Sequence, residues 1–432
     1  MRSFWRKGRV WRSCALVALV LAASTSAQAE LCAIDDVPAA TLLLPYFETE
    51  FERPGGVTTL FEINNASATA ILAHVVVWSD LSVPVLDFTV YLTGFDVVAI
   101  NMRDILNGIL PVTASDGQDP TDTISPQGPL SQDINFASCN GFLPFPVPAL
   151  NAAQIAHVRA SLTGQLSPVF GACAGLDYGD GIARGYVTVD VANECSLEFP
   201  SDPGYFLPGG GGIAGNRNIL WGNYSYVDPE QNFAQSETLV HLEADAGINQ
   251  LFGGRTFYGR YVLAGEDNRE PLPNEFAARY IANVGFDGGT DLIVWREALE
   301  VDTDGFNCAV GAPAWFPLNQ EFVIAFDEQE DAADICIPGG DIVSPPTGTA
   351  QTCFPAEAQR IPVAGTNPIG DDVATPFESG WLWMDLTYIS AAAPGLEPQA
   401  WVTTVMSAEG RYSVAMDAVH LNNLCALPPT PG

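Results

Sequence analysis

Three residues near the middle of the chain have the types and the spacing that metal binding or proton transfer would need. His241, Glu243 and Asp245 alternate with apolar residues in the stretch VHLEADA. Alternate side chains of a β-strand point to the same face, so one imidazole and two carboxylates would lie together. Such a group could ligate a divalent metal ion or act as an acid–base pair. The same alternation is typical of the solvated face of a half-buried strand, and this second interpretation is the one we favour.

Two acidic loops have the oxygen-rich composition of Ca²⁺ sites. Asp302, Asp304 and Asn307 form the pattern D-x-D-G-x-N, and Asp177 and Asp180 form D-x-x-D-G. Ca²⁺ takes clustered oxygen ligands from loops, but the first loop has no acid where an EF-hand requires one. Ca²⁺ is the one cofactor for which the sequence offers ligands, and no motif requires it.

A run of acidic residues raises the alternative of hydrolysis. Glu328 and Glu330 lie within Asp327–Asp331, and pairs of carboxylates carry out glycoside hydrolysis. Four tryptophans could supply a platform for a sugar ring, namely Trp295, Trp315, Trp381 and Trp383. Tryptophans at alternate strand positions are, however, more typical of a hydrophobic core. A carbohydrate-active or metal-assisted extracellular hydrolase is therefore the alternative hypothesis, and no catalytic residue is assigned.

Several other chemistries are excluded by residue type. Lys7 is the only lysine, and it lies in a segment that we expect to be removed, so Schiff-base, phosphate-loop and Ser-Lys chemistry are ruled out. Gly209–Gly212 is followed by neither a helix start nor a lysine and is not a phosphate cradle. Neither G-x-S-x-G nor H-E-x-x-H occurs. These absences favour a protein that is not an enzyme.

Residues 1–29 have the pattern of a signal peptide. Basic residues precede the apolar run Cys14–Ala23, and Ala27-Gln28-Ala29 fits the small-x-small cleavage rule. The pattern predicts cleavage near Ala29 and a secreted, periplasmic or cell-surface protein. No later stretch has the 18 or more apolar residues of a transmembrane helix, so no membrane-spanning segment is expected.

The net charge of the chain indicates which classes of partner it can bind. The chain has 17 basic and 51 acidic residues, and loss of the five basic residues in 1–29 leaves a formal charge of −39. Binding to nucleic acid or to an anionic membrane needs clustered positive charge and is disfavoured. We expect an extracellular protein or a glycan as the partner.

Eight cysteines remain after the predicted cleavage, and an even number in an exported chain indicates disulfide bonds. No C-x-x-C occurs, which argues against zinc and thioredoxin chemistry. The pairing cannot be deduced from the sequence. The eight are Cys32, Cys139, Cys173, Cys195, Cys308, Cys336, Cys353 and Cys425.

Short runs rich in β-branched residues predict a mainly β fold, with Ile71–Ser79 and Gly185–Asn193 among the strands. One short helix is predicted near 151–163, where Asn151 is an N-cap with Gln154 as its capping-box partner. The order of strand patterns in the two halves suggests a degenerate duplication. We therefore expect two tandem antiparallel β-sandwich domains of immunoglobulin or fibronectin type, with long disulfide-stapled loops. The first would span 30–250 with a loop and helix insertion at 113–183, the second 251–427, and 428–432 would be a disordered tail.

The chain resembles a family of uncharacterised secreted bacterial proteins of Gram-negative type. The stretches that carry the resemblance include GYVTVDVANECS, FPSDPGYF, TDLIVWR and QAWVTTVMSAEGR. The resemblance implies no activity and no site residues, because the family has none assigned. Export, the sandwich pattern and the absent catalytic motifs favour a secreted binding or structural and assembly protein, with function on its long loops.

Overall fold

Apolar and β-branched runs form strands along most of the chain. The computed structural model describes residues 37–112, 137–139, 143–245, 247–248, 255–262, 265–282, 288–335, 353–363, 373, 375–388, 397–408 and 412–422. The predicted signal peptide, most of 113–142 and the tail 428–432 lie outside these ranges. The described residues form nineteen strands and two α-helices, which confirms the mainly β prediction.

The first ten strands lie before residue 243. They are β1 (Thr41–Thr49), β2 (Thr58–Asn65), β3 (Ile71–Ser79), β4 (Pro84–Leu92), β5 (Val97–Asn101), β6 (Ala183–Ala192), β7 (Leu220–Trp221), β8 (Asn223–Asp228), β9 (Phe233–Thr238) and β10 (Val240–Leu242). Sheet I has the order β10-β1-β6-β3-β4. Sheet II has the order β5-β2-β8-β9, with β7 also paired to β2.

The remaining nine strands lie after residue 274. They are β11 (Glu275–Ile281), β12 (Gly288–Arg296), β13 (Phe322–Phe326), β14 (Ala332–Asp334), β15 (Ala358–Pro362), β16 (Ser379–Asp385), β17 (Ala400–Ala408), β18 (Tyr412–Asp417) and β19 (Val419–His420). Sheet III has the order β14-β13-β16-β11-β19, and sheet IV the order β15-β12-β17-β18.

Sheet I lies at the centre of the main hydrophobic core. Strands β1 and β3 are buried along their whole lengths, as their nearly continuous apolar sequences require. The surrounding core includes Ile293, Trp295 and Trp401, which belong to sheet IV. The two halves of the chain therefore share apolar packing. The immunoglobulin-like topology and the division into tandem domains stay predictions.

The two helices differ in how well the sequence indicates them. Helix α1 (Met102–Leu106) directly follows β5, and Asn101 caps it. Helix α2 (Ala152–Leu162) begins at the N-cap Asn151, and the reciprocal bonds between Asn151 and Gln154 confirm the predicted capping box. Among the described residues, no helix is long and apolar enough to cross a membrane.

Two disulfide bonds join distant loops, in agreement with the prediction from cysteine number. Cys139 pairs with Cys195, and Cys173 pairs with Cys308. Cys353 is also disulfide-bonded. The other predicted members, Cys32, Cys336 and Cys425, lie outside the described residues.

Candidate functional site

The structure places His241 inside the protein. On β10 it lies opposite Leu42 of β1, and its side chain is 5% exposed. Nδ1 lies 2.8 Å from the carbonyl oxygen of Val37, and the backbone N–H of Gly222 points to Nε2 at 3.4 Å. This geometry fits a neutral ring that donates through Nδ1 and accepts through Nε2. The solvated strand face that we favoured from the sequence is wrong at His241, because His241 itself is buried, as its two neighbours on β10 are.

The other two members of this group have other partners. Glu243 Oε1 accepts from the side-chain amide of Asn218 at 3.4 Å, and Asp245 is exposed and accepts from the N–H of Gly247. No group of three His, Cys, Asp or Glu side chains in the described part of the chain is arranged to hold a metal ion. Metal binding by His241, Glu243 and Asp245 stays a prediction without geometric support.

The acidic groups of the loop at Asp177 have partners within the protein. Asp180 accepts two bonds from Arg184, at 2.9 and 2.6 Å. Asp177 accepts from the N–H of Gly179 and from the amide of Gln165. A cation at this loop would have to compete with the guanidinium of Arg184.

The loop at Asp302 is likewise organised by its own backbone. Partial burial raises the pKa of Asp302, while the N–H groups of Asp304 and Gly305 oppose that rise. Asn307 accepts from the N–H of Ala309 at 3.0 Å. Four of the predicted Ca²⁺ ligands, Asp177, Asp180, Asp302 and Asn307, serve as loop-shaping acceptors, and Asp304 is exposed. Ca²⁺ binding at both loops remains a prediction.

The carboxylates of the hydrolase hypothesis lie on a surface hairpin. Glu328 and Glu330 lie in the turn between β13 and β14, and Glu328 forms a half-exposed ion pair with Arg279 at 2.8 Å. Two of the tryptophans pack beside neighbouring aromatic rings of sheet III, and Trp295 is buried. Neither glutamate lines the cleft described next.

One cleft lies where strand ends from both halves of the chain meet. Its main chamber has a volume of about 360 Å³, and an adjoining chamber has about 290 Å³. The walls come from the end of β1, the β8–β9 turn, the start of β12, β15, the end of β17 and the start of β18. We call it the Arg360 cleft, because Arg360 lines both chambers together with Glu48, Asp291 and Pro362.

A glycine shapes the wall where β12 begins beside the end of β17. Gly288 has φ of +139°, and a Cβ there would lie 2.0 Å from the carbonyl oxygen of Ser407. Only glycine allows the two strands to approach this closely. The approach places Gly289, Thr290 and Asp291 on the cleft wall.

Arg360 connects the two halves electrostatically. Its NH1 donates to Glu48 Oε1 of β1 at 2.5 Å, and its Nε and NH2 each lie 2.7 Å from Asp291 Oδ2 of β12. Burial lowers the pKa of Arg360, but Glu48 and Asp291 outweigh that effect and raise the pKa well above its ordinary value. Arg360 therefore carries a fixed positive charge held between two carboxylates.

The adjoining chamber contains an unpartnered acceptor. Gln359 is 2% exposed, and its Nε2 donates to the carbonyl of Ala356 at 2.7 Å. Its Oε1 has no hydrogen-bond partner among the described residues. Buried carbonyl groups normally have a donor, so this oxygen is an exception among the described interior groups.

Sequence reasoning missed the residues of the cleft. Glu48, Asp291 and Arg360 are each charged residues within or at the end of a strongly apolar strand sequence. Burying a charged side chain is costly unless it is paired with an opposite charge. A charged residue in an apolar strand was therefore the one sequence signal that could have pointed to these three residues. The partners could not have been found, because Arg360 and Glu48 are 312 positions apart.

The chain matches no protein-family model, no curated protein and no solved structure.

Proposed function

We propose that this protein is a secreted, non-enzymatic binding protein that holds a small polar ligand in the Arg360 cleft. The observation that carries the proposal is the ion-paired group of Glu48, Arg360 and Asp291, which comes from three strands and lines both chambers. Convergent polar groups in a preformed concave site are typical of ligand binding. The sequence pattern of a signal peptide and the two disulfide bonds support export.

The proposed architecture is two β-sandwiches of immunoglobulin or fibronectin type, with the ligand at their junction. Sheets I and II use residues before 243, and sheets III and IV use residues after 274, which supports this arrangement. Ligand sites are common where two packed units meet. The site differs from the long loops that the sequence favoured, because strand ends and short turns form its walls.

The polar groups of the cleft suit binding better than catalysis. The carboxylates of Glu48 and Asp291 both accept hydrogen bonds from Arg360. A general base needs a carboxylate oxygen directed at the substrate, and a metal-assisted mechanism needs an open set of ligands. Arg360 already occupies Glu48 Oε1 and Asp291 Oδ2, so neither of these two oxygens is available as a base.

The test is a thermal-shift panel of defined sugars, amino acids, polyamines and divalent cations. A ligand of the native state raises the melting temperature, by an amount that depends on its concentration relative to Kd. Ser407→Trp places a large side chain on the wall of the main chamber and should block ligand binding there. Ser379→Trp on β16 is the matched control outside the cleft. The proposal predicts a compound that stabilises the wild type and the control but not Ser407→Trp. Turnover of glycans, peptides or esters, or a panel without any such compound, would contradict it.

A further inference from the structure

We infer that the ligand of the Arg360 cleft is a small organic cation that carries amino or guanidino groups, as a polyamine does. The inference rests on the proposed binding function and adds the chemical class of the ligand. Three properties of the cleft lead to it: its charge, its open acceptors and its aromatic rim.

The fixed charges of the cleft sum to a negative value. Three carboxylates line it, those of Glu48, Asp228 and Asp291, against the guanidiniums of Arg184 and Arg360. The charge of Arg184 is already matched by Asp180, which lies outside the lining. One guanidinium therefore faces three carboxylates, so an anionic ligand would be repelled and a cation attracted.

The carboxylates of the cleft keep free hydrogen-bond acceptors. Arg360 directs its Nε, Nη1 and Nη2 groups at one oxygen each of Glu48 and Asp291. Within the described ranges, Asp291 Oδ1 and Asp228 Oδ2 accept no hydrogen bond. Ammonium and guanidinium groups are donors without acceptors, so they match these two carboxylate oxygens.

The rim of the cleft offers aromatic surface. Phe233 and Tyr412 line the main chamber, and Tyr412 is 55% exposed. Arg360 lies 5.7 Å from the centre of the Phe233 ring, so this ring already faces one cation. A cation over the face of an aromatic ring is attracted by the ring quadrupole.

The net negative charge of the whole chain also favours a cationic ligand. The full chain has a formal charge of −34. A large negative charge raises the local concentration of cations and speeds their association, with a strong dependence on ionic strength. It also attracts any polyamine weakly and without a site, so the test must separate saturable binding from this background.

The test is calorimetric titration of the full chain with spermidine, maltotriose and citrate as cationic, neutral and anionic probes. We expect saturable 1:1 binding of spermidine alone. Asp228→Asn keeps an acceptor for the N–H groups of Glu230 and Gln231 but removes a cleft charge. Asp327→Asn is its matched control, because Asp327 caps the β13–β14 turn in the same way away from the cleft. We expect Asp228→Asn and Asp291→Asn each to weaken spermidine binding about tenfold, and Asp327→Asn to leave it unchanged.

The outcomes separate the two proposals. Maltotriose binding that is lost in Ser407→Trp would keep the binding function and overturn the cation inference. Spermidine binding that is equally weak in wild type, Asp228→Asn and Asp327→Asn would show attraction to the overall charge and would overturn the inference. If none of the three probes binds, the cation inference fails, and the thermal-shift panel then decides the binding function separately.

Discussion

The carboxylate of Asp190 lies 3.6 Å from the guanidinium of Arg269, and both side chains are buried in the interior. Asp190 belongs to β6, whereas Arg269 lies in the segment that leads from sheets I and II to sheets III and IV. The hydroxyls of Tyr205 and Tyr258 donate to the carboxylate at 2.7 and 3.0 Å. A single buried acid thus attaches the connecting segment to the central sheet.

Asp190→Asn should destabilise the fold strongly. The substitution removes the negative charge beside Arg269 and replaces an acceptor with a donor where Thr41, Tyr205 and Tyr258 all donate. We expect the free energy of unfolding to fall by about 3 kcal/mol, measured by urea denaturation. Glu328→Gln breaks the half-exposed pair with Arg279 and should change stability by less than about 1 kcal/mol. Similar effects of the two substitutions would contradict this role.

Asp80 should make stability depend on pH. Burial raises its pKa to about 7, although the N–H of Leu176, the hydroxyl of Tyr178 and the charge of Arg184 oppose the rise. The folded-state pKa therefore exceeds the unfolded value of about 4. The contribution of Asp80 to the free energy of unfolding is then complete below about pH 4, and it is lost as the pH rises to about 7.

Asp80→Asn is neutral at every pH and isolates this contribution. Relative to the wild type, the variant should gain about 3 kcal/mol in free energy of unfolding between pH 5 and pH 8. Urea denaturation at both pH values measures the difference. Asp327→Asn, at the exposed turn, serves as the control. If the gap between wild type and Asp80→Asn is the same at both pH values, Asp80 does not titrate in this window.

Gly288→Ala should narrow the cleft or separate two strands. The added Cβ would meet the Ser407 carbonyl, and the positive φ adds strain. Gly179→Ala has a φ of +72°, in the milder left-handed region, and open space around the new Cβ, so it measures left-handed backbone strain without a clash. We expect Gly179→Ala to cost about 1 kcal/mol and Gly288→Ala about 2 kcal/mol more. Equal melting temperatures for the two variants would show that strands β12 and β17 can adjust.

The disulfide Cys173–Cys308 should contribute at least as much stability as Cys139–Cys195. It closes a span of 135 residues, against 56 for the other, and longer closed loops restrict the unfolded chain more. Paired Cys→Ser substitutions at Cys173 and Cys308 should lower the free energy of unfolding by about 4 kcal/mol. The matched pair at Cys139 and Cys195 is the comparison, measured by thermal denaturation. A larger loss for that pair would show that local contacts, rather than loop length, decide the effect.

Local signals in the sequence predicted the local structure well. Asn151 and Gln154 form the predicted capping box because that bond pattern involves residues only three positions apart. The apolar run Ile71–Ser79 forms a strand with the predicted bounds, buried on both faces. Helix α1 was missed, since the apolar pattern of β5 continues into it and only Asn101 marks the change.

The candidate site could not be predicted in the same way. His241 has the alternating pattern of a solvated strand, but Val37 and Gly222, both distant in sequence, cover it. Arg360 lies in a short run, AQRIP, and the acid nearest to it in sequence, Glu357, pairs with Arg260 instead. Its carboxylate partners come from β1 and β12, so the site exists only once strands from both halves have come together.

The described parts of the connecting segment, 255–262 and 265–272, are bonded on both sides. Arg269 contacts Asp190 of β6, Arg260 pairs with the buried Glu357, and the side-chain amide of Gln399 donates to the carbonyl oxygen of Thr256. Residues with so many interior bonds are a poor hinge. We therefore expect the Arg360 cleft to keep a fixed width, and we expect ligands of the proposed site to differ in how long they stay bound rather than in how far the cleft closes.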